Sequence, residues 1–240
     1  MVKHILITGG SKGLGLEITK QLLASGYHVH VFNRTISPGL AELQNTYKSL
    51  SIHLCDLSDT NILTLFLKSE LPSSIKLYGF VNNAATAYDD IITNLNSQRL
   101  EEMYKINVFA PMLITKFVIR NMLLHKISGS LIHISSISVH TGYKGLSMYA
   151  STKGALEAFS KNTAREWGEK GIRSNSIVAG FMETEMSSSL SDDQRNRIYN
   201  RTSLKKPTSK QSVAATVEFL LNDKSASITG QNIFVDNGTI

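Results

Sequence analysis

Tyr149 and Lys153 stand four residues apart in a stretch, residues 147–168, whose pattern predicts a helix, so both project from one face. A phenol with an ordinary pKa of about 10 exchanges protons poorly near neutrality, and a fixed ammonium beside it favours the phenolate. Such a tyrosine becomes a usable general acid or base. Ahead of the pair lie Ser135, Ser136 and Ser138, then Gly142 and Gly145. On residue type alone the three serines are equivalent. The Tyr-x-x-x-Lys spacing by itself carries little, since 8 Tyr in 240 residues make a chance pairing common. Its weight comes from the elements that surround it.

Residues 2–8 are a short apolar run without alternation, the pattern of a strand buried on both faces of a parallel sheet. Thr8, Gly9, Gly10, Ser11, Lys12, Gly13, Leu14 and Gly15 follow, then a helical pattern in Leu16, Ile18, Leu22 and Leu23 that stops at Gly26. Strand, glycine turn and helix in this order let a backbone approach a pyrophosphate and present free N–H groups to it. The spacing, Gly-x-x-x-Gly-x-Gly, is shifted from the usual dinucleotide fingerprint. The next strand, 28–33, ends in Asn33 and Arg34, where an acid would hold the ribose 2′-hydroxyl of NAD. A guanidinium there, with Lys12 in the glycine turn, suits a 2′-phosphate and points to NADP(H).

Further strands are expected at 51–54, 77–81, 130–134, 173–178 and 232–235, with helices at 38–49, 58–70, 108–124, 147–168 and 211–221. Asp56 and Leu57, then Asn82, Asn83 and Ala84, then Ser135 and Ser136, then Gly180 all fall at strand carboxyl ends, where ligands of open α/β sheets bind. Asp56 either caps the following helix or faces the adenine, and Ser58 is as good a cap. Asn107 interrupts an apolar run and needs partners there. The polar segment 183–205 reads as a substrate lid. The expectation is a single α/β domain over 1–240, a Rossmann-type doubly wound parallel sheet of about seven strands with helices on both faces.

With 42% hydrophobic residues the chain can bury a full core, and it shows no low-complexity tract or repeat. The opening apolar run is too short for a signal peptide or a membrane span, so a cytoplasmic protein is expected. The single Cys55 has no disulfide partner. His28 and His30 share a strand face, a pairing read as ordinary packing, and no metal is expected. The net charge of +6 is dispersed, without the aromatic interleaving of a nucleic-acid platform.

Taken in order, these residues resemble the short-chain dehydrogenase/reductase family over essentially the whole chain. Residues 8–15 look like its TGxxxGxG loop, Asp56 like its adenine-contacting acid, and Asn82, Asn83 and Ala84 like its NNAG segment. Asn107, Ser136, Tyr149 and Lys153 match its catalytic tetrad, the family spacing selecting Ser136, and Thr184 matches the threonine that holds the nicotinamide carboxamide. Ala85 replaces the usual glycine, and Ala179 with Gly180 replaces Pro-Gly; both changes are small. Residues 180–186 and 190–195 are similar to bacterial 3-oxoacyl-acyl-carrier-protein reductases.

The resemblance implies a reductase in which NADPH gives a hydride to a ketone or 3-oxoacyl thioester. Tyr149 would give the proton, Lys153 lower the tyrosine pKa and hold the nicotinamide ribose, Ser136 orient the carbonyl, and Asn107 hold a water in the proton path. It places the cofactor against Gly9, Ser11, Lys12, Gly13, Leu14 and Gly15, against Asn33, Arg34, Asp56 and Leu57, and against Asn82, Ala84, Gly180, Met182 and Thr184. Tyr88, His140, Tyr143 and Met186 are the expected substrate lining. Lys126, Lys170 and Arg173 are expected near the site mouth, facing an acidic acyl carrier protein, and helices 108–126 and 147–168 are expected to build a homotetramer. A ketoreductase of a sugar or secondary metabolite, and a non-catalytic dinucleotide sensor or scaffold, are the alternatives.

Overall fold

A computed structural model describes residues 2–184 and 191–240. Seven strands, β1 (His4–Thr8), β2 (His28–Asn33), β3 (Leu50–Leu54), β4 (Leu77–Asn82), β5 (Ser130–Ser136), β6 (Arg173–Ala179) and β7 (Asn232–Val235), form one sheet in the order β3-β2-β1-β4-β5-β6-β7. Every pairing is parallel. The order reverses between β1 and β4, and at such a switch point the carboxyl ends of the strands open a crevice.

The alternating apolar residues of the strands feed two cores. Ile5, Ile7, Val29 and Val31 pack under α1 (Gly13–Ala24), α2 (Pro38–Thr46) and α9 (Lys210–Leu221). Leu6, Phe32, Phe80 and Leu131 pack on the other face under α3 (Thr60–Glu70) and α5 (Ala110–His125). Buried Leu156 lies on α7 (Ser147–Trp167), which covers β5 and β6. Helices thus cover both faces, as the run of doubly apolar strands requires.

Two local details differ from expectation. The helix after β3 starts at Thr60, because Asp59 rather than Asp56 or Ser58 caps it, accepting from the N–H groups of Asn61 and Ile62. The long helix before β5 is not uniform: α4 (Ser97–Tyr104) runs through a π-helical segment, Lys105–Phe109, into α5. The 29-residue rod Ser97–His125 has the length and hydropathy of a membrane span, but 56% of its apolar window is buried inside the protein. It is a core helix. Within the expected lid, α8 (Asp192–Arg201) is held by a full capping box between Ser191 and Gln194. α6 (Ser138–Thr141) is a single turn after β5.

Candidate active site

The glycine turn is built by steric need. Gly9 has φ +68°, and a Cβ on Gly15 would sit 1.9 Å from the Gly9 carbonyl oxygen, so only glycine fits there. Asn83 locks the turn to the end of β4: its amide donates to the carbonyls of Thr8 and Gly9 at 3.1 and 3.0 Å, while Thr8 Oγ1 accepts from the N–H groups of Asn83 and Ala84. Ser11 fastens the turn sideways, its hydroxyl accepting from the Ser37 N–H at 3.0 Å. The N-cap position of α1 makes no side-chain cap bond, and Gly13, Leu14 and Gly15 there line a cavity of about 960 Å³. Helix N–H groups with this exposure suit a pyrophosphate.

Lys12, Asn33, Arg34, Asp56 and Leu57 close one end of the cavity. The Ser58 backbone N–H, with the Arg34 charge adding to it, holds the Asp56 carboxyl below the usual range. Asn33 is buried, and neither its Oδ1 nor its Nδ2 has a partner in the protein. An orphaned amide on a cavity wall fits a polar ligand such as an adenosine. Ala84, Gly180, Met182 and Thr184 line the other end. A methyl group on Gly13 would lie 3.9 Å from Thr184, so this threonine reaches over the glycine turn.

Ser136, Tyr149 and Lys153 share the cavity wall beyond β5. The structure distinguishes the three serines. Ser135 donates to Glu157 at 2.5 Å and is consumed by that bond. Ser138 donates to Ser136 Oγ at 3.0 Å, and Ser136 lies on the Tyr149 side, where its hydroxyl favours the ionised phenol. Lys153 is fully buried except at the cavity, donating to the Ile134 carbonyl at 2.8 Å with its Nζ 5.7 Å from the centre of the Tyr149 ring.

The titration of this pair reverses the expected direction. Desolvation and the nearby Asp89 carboxylate push Tyr149 up to about 12, against the Ser136 hydrogen bond, and burial draws Lys153 down to about 8. Burial is the largest cause of both shifts. Tyr149 therefore rests as a neutral phenol, a proton donor.

Several expected residues lie elsewhere. The Asn82 side chain lies 3.5 Å from His133 Nδ1 and does not line the cavity, whereas its neighbour Asn83 does. Tyr88 is buried with Met103 and Met148, its hydroxyl donating to the Asn94 carbonyl and accepting from the Asn96 N–H. His140 pairs with Glu157 at 3.0 Å and packs edge-on against Phe234. Of the expected substrate lining only Tyr143 faces the cavity, and Met186 lies outside the described residues. Asn107 is buried, spending both amide hydrogens on the Thr86 carbonyl and Thr152 Oγ1 and accepting from the Thr86 N–H.

The carrier-facing cations also move. Arg173 starts β6, and its guanidinium is spent on the carbonyls of Leu220, Asn222 and Ile228. Lys126 ends α5 and Lys170 follows α7, so within one chain all three lie at the sheet edge opposite the cavity. Lys144, Arg197 and Arg201 line the cavity instead, as does Asp89. Arg197 and Arg201 are four apart on α8, a spacing visible in the sequence, but its direction toward the cavity is tertiary.

Residues 9–239 match a family described as enoyl-(acyl carrier protein) reductase. A 3-oxoacyl-[acyl-carrier-protein] reductase of Chlamydia trachomatis is 30% identical over 98% of this chain and 96% of its own length. Carbonyl reductase [NADPH] 2 of Sus scrofa is 31% identical over 97% and 94%. The solved structure of ElxO with NADP bound superposes with a TM-score of 0.91 at 26% identity, covering 100% of this chain and 99% of that one. A 4-hydroxyisoleucine dehydrogenase complexed with NADH gives the same TM-score, 0.91, at 26% identity and 99% and 98% coverage. With its parallel sheet, glycine turn and Ser-Tyr-Lys wall, this chain belongs to the short-chain dehydrogenase/reductase family of nicotinamide-dependent oxidoreductases.

Proposed function

We propose that the chain is an NADPH-dependent reductase of a ketone to a secondary alcohol, acting on a 3-oxoacyl thioester carried by an acidic acyl carrier protein. The observation that carries this reading is the convergence of Ser136, Tyr149 and Lys153 on the cavity wall that faces the glycine turn. When bound, the reduced nicotinamide supplies a hydride to the carbonyl carbon. Tyr149, protonated near neutrality, gives its proton to the carbonyl oxygen as negative charge develops there. Ser136 donates to the same oxygen and holds it in line, while Ser138 steadies Ser136. The Lys153 ammonium stabilises the phenolate left behind and reaches the nicotinamide ribose.

Asn107 acts mainly by position. It ties residue 86 to Thr152, next to Lys153, and offers a relay water only the remaining lone pair of its Oδ1. At the adenosine end, Arg34 and Lys12 would hold the 2′-phosphate and the Asn33 amide would meet the adenosine. The family and its solved neighbours support a nicotinamide cofactor, and Arg34 in place of an acid supports NADPH over NADH.

The 3-oxoacyl reductases among the relatives support the substrate class. Lys144, Arg197 and Arg201 at the cavity support an anionic substrate arm or an acidic carrier, in the role first expected of Lys126, Lys170 and Arg173. We further place the enzyme in the cytoplasm as a homotetramer, a reading supported by Phe109 and Leu124, which leave 47% and 65% of their area exposed on the helices expected to pair. A small polar ketone, such as a sugar or secondary metabolite, is the second reading. Asp89 favours it, because a carboxylate beside Tyr149 suits a hydroxyl-rich substrate better than an acyl chain. A non-catalytic sensor would have no use for the complete Ser-Tyr-Lys wall.

The test is NADPH oxidation against a panel of free 3-oxoacyl thioester, carrier-bound 3-oxoacyl thioester and polar ketones. The proposal expects the carrier-bound thioester to be preferred and that preference to fall with added salt. Preference for a polar ketone moves the assignment to the second reading, and no turnover on any ketone overturns both.

A further inference from the structure

The sheet edge opposite the cavity carries a second polar cluster, which the proposed reaction does not use. His4 begins β1, His28 begins β2, and His30 follows two residues on, so it shares the face of His28. Parallel register sets His4 beside His28. The three rings stack with centroids 4.6, 4.8 and 5.3 Å apart. Among the described residues, one ring nitrogen from each lies within 4.8 Å of the others. We propose that His4, His28 and His30 form a zinc site, with solvent supplying the fourth ligand.

The distances suit the ion. Tetrahedral zinc with Zn–N bonds of about 2.0–2.1 Å holds its ligand nitrogens about 3.3 Å apart. His4 Nδ1 and His30 Nε2 are 3.0 Å apart and share a proton. Zinc takes that proton's place, and His4 then carries its own proton on Nε2. His28 turns its ring out of the stack to aim Nδ1 at the ion, closing up to about 1.5 Å, from 4.8 to about 3.3 Å, a rotation open to a half-buried side chain.

The surroundings are those of a ligand set. His30 Nδ1 is hydrogen bonded to His53 Nε2 at 3.2 Å, and His53 Nδ1 donates to Glu70 Oε2 at 2.8 Å. A ligating imidazole whose other nitrogen leads to a carboxylate is the usual outer support of a metal site, fixing both tautomer and ring plane. His28 Nε2 is engaged by Ser51 Oγ at 2.9 Å, which leaves Nδ1 for the ion. An all-imidazole cluster favours zinc over magnesium or calcium, which take oxygen ligands. Three protein ligands leave one position open, and the half-buried His4 and His28 give access from solvent. From His4 to Gly9 the strand runs about 17 Å. The zinc therefore fastens β1 to β2 and takes no part in the carbonyl chemistry.

The test uses the full chain stripped with a chelator. Zn²⁺ is titrated against a chromogenic chelator, and Co²⁺ is followed by its visible absorption. One equivalent per chain is expected, with the strong Co²⁺ bands of a four-coordinate site. His28→Gln should weaken Zn²⁺ binding on the order of 100-fold or more, and Glu70→Gln, acting through His53, about 10–100-fold. His140→Gln, on α6 beyond the carboxyl end of β5, should leave binding unchanged. Lack of saturable binding, a weak six-coordinate Co²⁺ spectrum, or a site indifferent to His28→Gln overturns the proposal. If His28→Gln fails to fold by circular dichroism, the wild-type Co²⁺ spectrum and Glu70→Gln decide.

Discussion

At the carboxyl edge of the sheet, polar side chains stand around a cavity of about 960 Å³; at the amino edge, Arg173 and His53 are engaged by partners within the protein. Asn33 has two unpartnered amide atoms, whereas Arg173 spends its guanidinium on three carbonyls and His53 ends on Glu70. Residue type alone does not separate the two. At Asn33, Arg173 and His53 partnership does, because a buried polar group left unpaired is costly unless something else pairs with it. The contrast recurs within one strand: Ser135 is bound to Glu157, and Ser136, one residue on, is turned to Tyr149.

That contrast is open to being broken, most sharply at the two serines. Ser136→Ala should lower kcat for ketone reduction by about 10²–10³-fold with little change in thermal stability. Ser135→Ala should do the reverse, lowering the melting temperature while leaving kcat within a few-fold, because it strips a partner from buried Glu157. Equal kinetic effects at the two positions would erase the distinction.

A smaller effect is expected at the adenosine end. Arg34→Asp should cost about 10–100-fold in kcat/KM with NADPH and little with NADH, since charge-assisted hydrogen bonds to a phosphate are lost. Unchanged discrimination would place the 2′-phosphate elsewhere.

The pH profile tests the wall itself. Lys153, at about 8, loses its charge above that pH, while Tyr149, at about 12, stays protonated. The rate of ketone reduction should therefore fall about tenfold per unit beyond pH 8, following loss of the charge that stabilises the phenolate. A flat profile to pH 9.5 would separate Lys153 from the chemistry. At the amino edge, Arg173→Met should leave kcat unaltered and cost about 1–3 kcal/mol in stability, read by urea unfolding, through the carbonyls it leaves unpaired.

The doubly apolar strands and the glycine turn made the sheet and its cavity edge legible before any coordinates, because burial on both faces and a positive φ leave marks in residue type. Details that arise from packing left no such mark. The π-helical segment at Lys105–Phe109 changes hydrogen-bond register without changing composition. The resemblance placed Tyr88 and His140 in the substrate lining, but each has an internal partner, Asn94 with Asn96 and Glu157 respectively. Asp89, Lys144, Arg197 and Arg201 reach the cavity from three separate segments. His4 joins His28 only through strand register, and His53 joins His30 from a third strand. Spacing along the chain does not encode such meetings.

The most direct test of the central claim is a single turnover of enzyme saturated with NADPH and mixed with a reducible ketone, wild type beside Tyr149→Phe. The variant should bind NADPH as tightly as the wild type by fluorescence yet oxidise it at least about 10²–10⁴-fold more slowly. Oxidation by Tyr149→Phe at a rate near that of the wild type would show that the proton comes from somewhere else.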